Sequence, residues 1–236
     1  MAMTESGLIV PDDKGLSYTP KRVLPARGGD VIGIKGKTLH PQQFATMTRN
    51  IEHGVLTASD DEIESGKMWY PKAQEIAHEV GNGDIRKGAG ILAITSPQNS
   101  WGENVRMAKE IGRTGTTHGF ITKDTIRRAN EVREGRDPAE LLPMKLKTGN
   151  FFTNINDPSD RSAVTIDRHA HDAAINERWG GRDRALGGIG RYNTFVDAHM
   201  AATNRLNTVS GLEGLNAGQT QAINWVRWRN THGITD

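Results

Sequence analysis

Apolar residues recur every three or four positions over most of the chain after residue 40, which is the spacing of an amphipathic helix. Phe44, Met47, Ile51 and Val55 form the first such stripe. Residues 88–94 are apolar on every side and predict a helix buried in the interior. The other helical patterns lie in residues 69–80, 101–111, 126–132, 148–155, 192–206 and 219–228. Because we find no convincing pattern of parallel strands, we predict an all-α protein.

The segments outside these stripes carry start, stop and turn signals. The first 40 residues are punctuated by glycine and proline, which predicts an extended arm or a short hairpin whose densest apolar cluster is Val31, Ile32 and Ile34. Pro97 ends the buried helix. The following residues are placed as N-caps of the next helices: Asn99 or Ser100, Thr122 and Asp137.

Composition narrows the possible functions. The 236 residues include no cysteine, which excludes disulfides, thiolate zinc sites, cysteine-ligated iron–sulfur clusters and cysteine nucleophiles. No apolar run approaches the roughly 20 residues that span a bilayer, and residues 1–13 lack the apolar core of a secretory signal. We therefore expect a cytoplasmic protein without a membrane partner. The net charge of +2 permits binding to nucleic acid without requiring it.

Four short segments carry more information than their lengths suggest. Residues 225–229 (Trp-Val-Arg-Trp-Arg) alternate aromatic and basic residues near the C-terminus. The other three segments contain the candidate chemistry. Residues 94–101 (Ile-Thr-Ser-Pro-Gln-Asn-Ser-Trp) end an apolar helix in a polar elbow and begin a second helix. Residues 142–150 (Leu-Pro-Met-Lys-Leu-Lys-Thr-Gly-Asn) predict a helix, a tight turn and another helix that begins near a lysine. Residues 164–171 (Val-Thr-Ile-Asp-Arg-His-Ala-His) place an acid at the start of a helix.

Taken in this order, the three segments resemble the helix–hairpin–helix DNA glycosylase superfamily, of which endonuclease III is the best-known member. Residues 96–98 match its Ser-Ala-Gln elbow. Residues 142–149 match its Leu-Pro-Gly-Val-Gly-x-Lys-Thr-Ala hairpin, and residues 166–169 match its Val-Asp-x-His segment. Lys147 and Asp167 are 20 positions apart, close to the separation in the family. The resemblance covers residues 85–175. The superfamily includes phage-encoded members.

The resemblance implies a two-lobed fold with a central cleft. We expect residues 1–40 to form an arm outside the lobes. Residues 41–84 together with 173–236 are expected to form the flanking lobe, and residues 85–172 the lobe with the elbow, the hairpin and the acidic helix start. An extruded nucleotide would lie in the cleft. We expect no cofactor, and a monomer is assumed.

The resemblance also implies a DNA glycosylase that flips a modified or damaged base and cleaves its N-glycosidic bond. Asp167 would stabilise the positive charge that develops on the sugar, and Lys147 would act as the nucleophile in a lyase reaction. Gln98 would fill the gap left in the duplex. The predicted DNA-binding residues are Gln98, Asn99, Trp101, Lys145, Thr148, Arg168, His169, Arg127 and Arg128. On the basic helix around Arg127, the further candidate phosphate contacts are Lys123, Arg133 and Arg136.

Two features depart from the family. Residues 144–146 (Met-Lys-Leu) replace the Gly-Val-Gly core of the hairpin, and the turn is one residue shorter. The glycines of the family let backbone N–H groups approach a phosphate, so here the charge of Lys145 would have to supply part of that contact. The iron–sulfur loop that many members carry is absent, as the lack of cysteine requires.

Three other functions stay open at this point. A base-hypermodification enzyme of the same superfamily and a non-catalytic DNA-binding protein fit the same motifs. His169, His171 and Asp172 suggest a metal-dependent His/Asp phosphohydrolase, although two histidines two positions apart on a helix point to different sides. Structural roles are also open, because Asp167 suits an N-cap and the tryptophans at 225 and 228 share a helix face suited to core packing.

Overall fold

The computed structural model describes residues 8–12, 15–19, 41–181 and 183–235. Strands β1 (Leu8–Asp12) and β2 (Gly15–Thr19) form an antiparallel hairpin in which Leu8 lies opposite Thr19. The prediction of a short hairpin is therefore confirmed for this part of the first 40 residues. The apolar cluster at residues 31–34 lies outside the described residues.

The described residues between 41 and 235 are predominantly helical, as the hydrophobic pattern predicts. The helices are α1 (Pro41–Leu56), α2 (Asp60–Lys67), α3 (Trp69–Val80), α4 (Ile85–Thr95), α5 (Trp101–Thr114), α6 (Lys123–Arg133), α7 (Pro138–Leu141), α8 (Lys147–Asn156), α9 (Arg168–Ile175), α10 (Ile189–Leu206) and α11 (Ala217–Thr231). Among the described residues, every helix is too short or too polar to cross a membrane. The prediction of an all-α protein is confirmed for these described residues.

Most of the predicted helix starts are correct because they are encoded locally. Ser100, Thr122 and Asp137 each accept a hydrogen bond from a backbone N–H of the turn that follows. Helix α5 runs three residues beyond its predicted end and stops where Gly115 adopts a left-handed φ of 77°. Helix α2 was not predicted, because Ile63 is its one apolar side chain and gives no periodic stripe.

The helices belong to two compact units. Of the described residues, those of Met1–Gly66 and Ile166–His232 form the first unit, and those of Lys67–Thr165 and Gly233–Asp236 form the second. In the first unit, α1 packs against α9, α10 and α11. A core cluster there contains Val55, Leu206, Leu212, Leu215 and Ile223.

Helix α4 is the centre of the second unit. Residues 88–95 are all buried, and α4 contacts α3, α5, α6, α7 and α8. Gly88 allows the closest of these contacts, because a Cβ there would lie 1.8 Å from the carbonyl oxygen of Ala77 in α3. A helix without a polar face is stable only when its whole circumference is covered, which this arrangement achieves.

The division of the chain differs from the expected lobes at both boundaries. Helix α3 was expected in the flanking lobe with α1, but its contacts are with α4, α5 and α8. The start of α9 was expected with the hairpin, but α9 packs on α1 and α11. Sequence periodicity shows which face of a helix is buried and leaves open which partner covers that face.

Candidate functional site

The elbow between α4 and α5 exposes one of its predicted DNA-binding residues and uses the other for structure. Gln98 is exposed and has a positive φ of 65°, a conformation that L-residues adopt at a cost of about 1–3 kcal/mol. The Asn99 side-chain amide donates to the carbonyl oxygens of Thr95 at 2.9 Å and Pro97 at 3.2 Å. Asn99 therefore holds the elbow together, while Gln98 is presented to solvent.

Trp101 belongs to an aromatic cluster of the second unit. Its ring centroid lies 5.1 Å from that of Trp69 and 6.2 Å from that of Phe151. These rings come from α3, α5 and α8, and Trp101 is half-buried among them. The predicted DNA contact thus has a packing role that joins three helices.

The hairpin between α7 and α8 is tight, and glycine makes its geometry possible. The backbone N–H of Leu146 donates to the carbonyl oxygen of Pro143 at 2.9 Å, which closes the turn. A Cβ on Gly149 would lie 2.2 Å from the Cα of Met144 and 2.6 Å from the carbonyl oxygen of Pro143. The turn is therefore packed directly against the first turn of α8.

The start of α8 has features that suit an anionic ligand. Its N-cap residue, Leu146, provides no side-chain hydrogen bond to the first turn. Lys145 is exposed in the turn, and Lys147 and Thr148 are half-buried in the first turn of the helix. Uncapped N–H groups and the positive end of the helix dipole both favour an anion at this position.

The basic helix α6 is largely neutralised by its own neighbours. Arg127 forms ion pairs with Asp124, at 2.6 Å, and with Glu131. Arg128 is half-buried and donates a hydrogen bond to the carbonyl oxygen of Leu141 at the end of α7. Two further arginines of this region also have partners within the chain. Arg133 donates to a backbone carbonyl, and Arg136 forms ion pairs with two glutamates. The structure gives these arginines intramolecular partners, in contrast to the phosphate contacts predicted for them.

Asp167 is an N-cap, and its second oxygen has an additional partner. Oδ1 accepts hydrogen bonds from the backbone N–H groups of His169 at 3.0 Å and Ala170 at 2.7 Å, which begins α9. Oδ2 accepts a hydrogen bond from Nε1 of Trp225 in α11 at 3.0 Å. The carboxylate is half-buried, so its plane is fixed while part of it stays accessible.

Cationic and aromatic side chains pack around Trp225, the partner of this carboxylate. Nε of Arg168 donates to Nε2 of His169 at 3.0 Å, and the guanidinium of Arg229 lies 4.4 Å from the centroid of the Trp225 ring. The ring of His169 meets that of Trp225 edge to face, with centroids 6.4 Å apart. Burial lowers the pKa of His169, which favours a neutral ring that accepts from Arg168.

The next acid on α9, Asp172, is enclosed in a buried hydrogen-bond network. Arg184 donates to both carboxylate oxygens at 2.7 Å, the backbone N–H of Trp179 donates to Oδ2, and Nδ1 of His171 lies 2.9 Å from Oδ1. Nε2 of His171 lies 3.3 Å from Arg191. Burial alone would raise the pKa of Asp172, but the bonds from Arg184 and His171 outweigh it and lower the pKa. Burial lowers the pKa of His171 to about 4.

This network leaves little room for metal chemistry at His171 and Asp172. Both ring nitrogens of His171 and both oxygens of Asp172 already have protein partners. Within the described ranges, no three histidine, aspartate or glutamate side chains are grouped so that they could hold a metal ion. The geometry of this part of the chain therefore gives the phosphohydrolase alternative no support.

Comparison with known proteins adds a family assignment. Residues 34–232 match the family described as "Family of unknown function (DUF7178)". The chain belongs to this family. No curated protein and no solved structure matches it. The description of DUF7178 states no activity.

In this DUF7178 member, the predicted site residues fall into two groups. Asp167, Arg168 and His169 adjoin one another in the first unit, while the elbow and the hairpin with Lys145, Lys147 and Thr148 belong to the second. The sequence pattern alone does not connect Trp225 or Arg229 to Asp167. The Trp-x-Arg-Trp-Arg pattern at residues 225–229 was visible, but a contact across 58 positions has no local signal.

Proposed function

We propose that this protein is a DNA glycosylase of the helix–hairpin–helix type, which flips a base out of DNA and cleaves its N-glycosidic bond. The supporting observation is the setting of Asp167. Two backbone N–H groups and one indole N–H fix a half-buried carboxylate at the start of α9. This is the place in the chain where the family resemblance expects the catalytic acid.

A fixed carboxylate suits the chemistry of base removal. When the bond between C1′ and the base nitrogen breaks, the electron pair leaves with the base and positive charge develops on the sugar. A preorganised negative group stabilises that charge without rearranging in the transition state. A water oxygen then bonds to C1′ and releases its proton, while the base gains a proton.

Two features of the second unit support binding to DNA. The α8 N-terminus lacks a side-chain cap and lies beside the exposed Lys145, which is a suitable environment for a backbone phosphate. Gln98 is exposed at a sharp turn, and a polar side chain of this kind can occupy the space of a flipped base. Base flipping is required because the glycosidic carbon is inaccessible inside a duplex.

The experiment is release of a base from DNA, read by nucleoside mass spectrometry. The substrates are duplexes with uracil, oxidised guanine or alkylated adenine, together with phage DNA rich in modified thymines. We expect Asp167→Asn to lower the rate by at least about a hundredfold, as loss of an electrostatic group does in other enzymes. Asp84→Asn is the matched control, because Asp84 caps α4 with a single backbone hydrogen bond.

The other outcomes separate the remaining functions. Tight binding without release, unchanged in both variants, would contradict the glycosylase and support a non-catalytic DNA-binding protein. A base that is altered but stays in the DNA would support a hypermodification enzyme.

A lyase reaction is a separate part of the proposal and depends on Lys147. Its amine would form a bond to C1′ as the base leaves, and ring opening would give a Schiff base. Borohydride reduces such an adduct to a stable amine, so wild type should be trapped on DNA and Lys147→Gln should not. Lys109→Gln, which removes an amine paired with Glu79 at 2.7 Å, should still be trapped. If wild type releases a base but gives no adduct, the enzyme is a glycosylase without lyase activity.

A further inference from the structure

Helix α11 carries a stack of side chains that ends at Asp167. Trp225 and Arg229 are four residues apart and therefore share a helix face. The guanidinium of Arg229 lies 4.4 Å from the indole centroid, and the indole Nε1 donates to Oδ2 of Asp167 at 3.0 Å. Trp225 and Arg229 are both half-buried. One rigid ring thus connects a cation to the proposed catalytic carboxylate.

The indole hydrogen bond is not needed to begin helix α9. Oδ1 of Asp167 already satisfies the N–H groups of His169 and Ala170, which is the usual task of an N-cap. Asp84 begins α4 with a single backbone hydrogen bond to its side chain. The bond from Trp225 therefore performs a second task, because it fixes the direction of Oδ2.

The stacking also prepares Arg229 to bind an anion. A guanidinium on an aromatic ring keeps its planar array of N–H donors, which matches the oxygens of a phosphate. An arginine that is already ordered loses less side-chain entropy when it binds. Arg127 and Arg136 are ordered in a different way, by ion pairs with carboxylates instead of an aromatic ring.

We infer that Trp225 is a positioning residue for Asp167 and that Arg229, stacked on the same ring, binds a phosphate of the DNA backbone beside the target nucleotide. The inference deepens the proposed function and rests on it for the substrate. The indole of Trp225 contacts both Arg229 and Asp167. The same side chain would therefore support the arginine that binds the phosphate and orient the carboxylate that acts in catalysis.

The positioning role is tested with Trp225→Phe, which keeps an aromatic ring for Arg229 and removes the N–H. We expect kcat for base release to fall about tenfold to a hundredfold, the range for loss of a hydrogen bond to a charged group, while Kd for DNA changes less than about twofold. The control is Trp228→Phe in the same helix, because Nε1 of Trp228 has no partner among the described residues. An unchanged kcat in Trp225→Phe would overturn the role.

An NMR measurement detects the bond without any activity. The indole Hε1 resonance of Trp225, assigned by its loss in Trp225→Phe, should move upfield in Asp167→Asn, because the acceptor loses its charge. The resonance of Trp228 should stay in place. A Trp225 resonance that does not respond would show that the hydrogen bond is absent in solution and would contradict the inference.

The phosphate contact is tested with Arg229→Gln by measuring Kd for a duplex at several salt concentrations. Loss of one phosphate contact should lower the slope of log affinity against log salt by about one. Arg227→Gln is the control, because Arg227 is on the same helix, hydrogen-bonds Thr231 and lies 3.8 Å from Glu62. Its slope should match wild type. An unchanged slope in Arg229→Gln would overturn the contact.

Failure of the inference can be told apart from failure of the proposed function. If wild type releases no base from any substrate, the glycosylase and the positioning role of Trp225 are both rejected. The phosphate contact is still decided in that case by the salt dependence. If wild type is active but both Trp225→Phe and Arg229→Gln behave as wild type, the inference alone is rejected.

Discussion

Asp167 and Asp172 are five residues apart at helix α9, yet their surroundings give them different capacities. Asp172 is buried, and its oxygens accept from Arg184, His171 and the backbone N–H of Trp179. Asp167 is half-buried and accepts three hydrogen bonds, with part of the carboxylate still accessible. Both oxygens of Asp172 are occupied by protein donors, whereas a fixed but accessible carboxylate can act on a substrate.

The largest effect should come from Asp172→Ala. Removal of one partner of a buried ion pair leaves Arg184 and His171 without their acceptor and should lower the free energy of unfolding by about 3–5 kcal/mol. Urea unfolding measures this. Asp167→Ala, which loses an N-cap and an indole bond, should cost about 1–2 kcal/mol. Equal costs for the two variants would remove the distinction between these acids.

Acid should destabilise the hydrogen-bond network around Asp172, because it protonates His171. Burial lowers its pKa from 6.5 to about 4, and burial lowers the pKa of His199 to about 4 as well. Between these values the unfolded chain binds protons that the folded chain does not, so stability is complete above about pH 6.5 and falls as the pH drops toward 4. Unfolding at pH 5 should take up about two protons, and about one fewer in His171→Gln. A stability independent of pH over this window would contradict the assignment.

A smaller loss of stability is expected for Arg184→Lys, which tests whether Asp172 needs the hydrogen-bond geometry of arginine or only its positive charge. Arg184→Lys keeps the cation but loses the pair of parallel hydrogen bonds, so it should cost about 1–2 kcal/mol. Residues 177–185 should then be cut faster in limited proteolysis, because Arg184 also donates to the carbonyl oxygen of Gly180. The control is Arg168→Lys, which changes an exposed arginine at the start of α9 and should leave the cleavage rate unchanged. Slow cleavage in Arg184→Lys would show that charge alone is sufficient.

The smallest effect on stability should come from Asp167→Asn. Asparagine is as good an N-cap as aspartate, so the start of α9 should be preserved. Its amide offers only one acceptor oxygen, and the loss of the Trp225 bond should cost about 1 kcal/mol. The same variant should lose most of any base-release activity. A large loss of stability would mean that Asp167, like Asp172, is chiefly structural.

Local chemistry was sufficient to predict the helices and most of their ends from the sequence. The N-caps at Ser100, Thr122 and Asp137 act within their own turn, and the buried helix α4 follows from a run without a polar face. Helix α2 escaped detection because too few of its residues are apolar to give a period. The order of the elbow, the hairpin and Asp167 was also visible in the sequence, because each is a contiguous motif.

The partners of these motifs depend on contacts that no local pattern records. Trp225 reaches Asp167 across 58 positions, and Arg128 is held by a carbonyl oxygen 13 positions away. Sequence determined that Asp167 begins a helix, that α4 is buried and that the chain is helical, because those properties depend on neighbouring residues. Only the tertiary structure decided that Asp172 is fully bonded, that α6 is neutralised and that Asp167 is held by an indole, because these depend on which helices pack together.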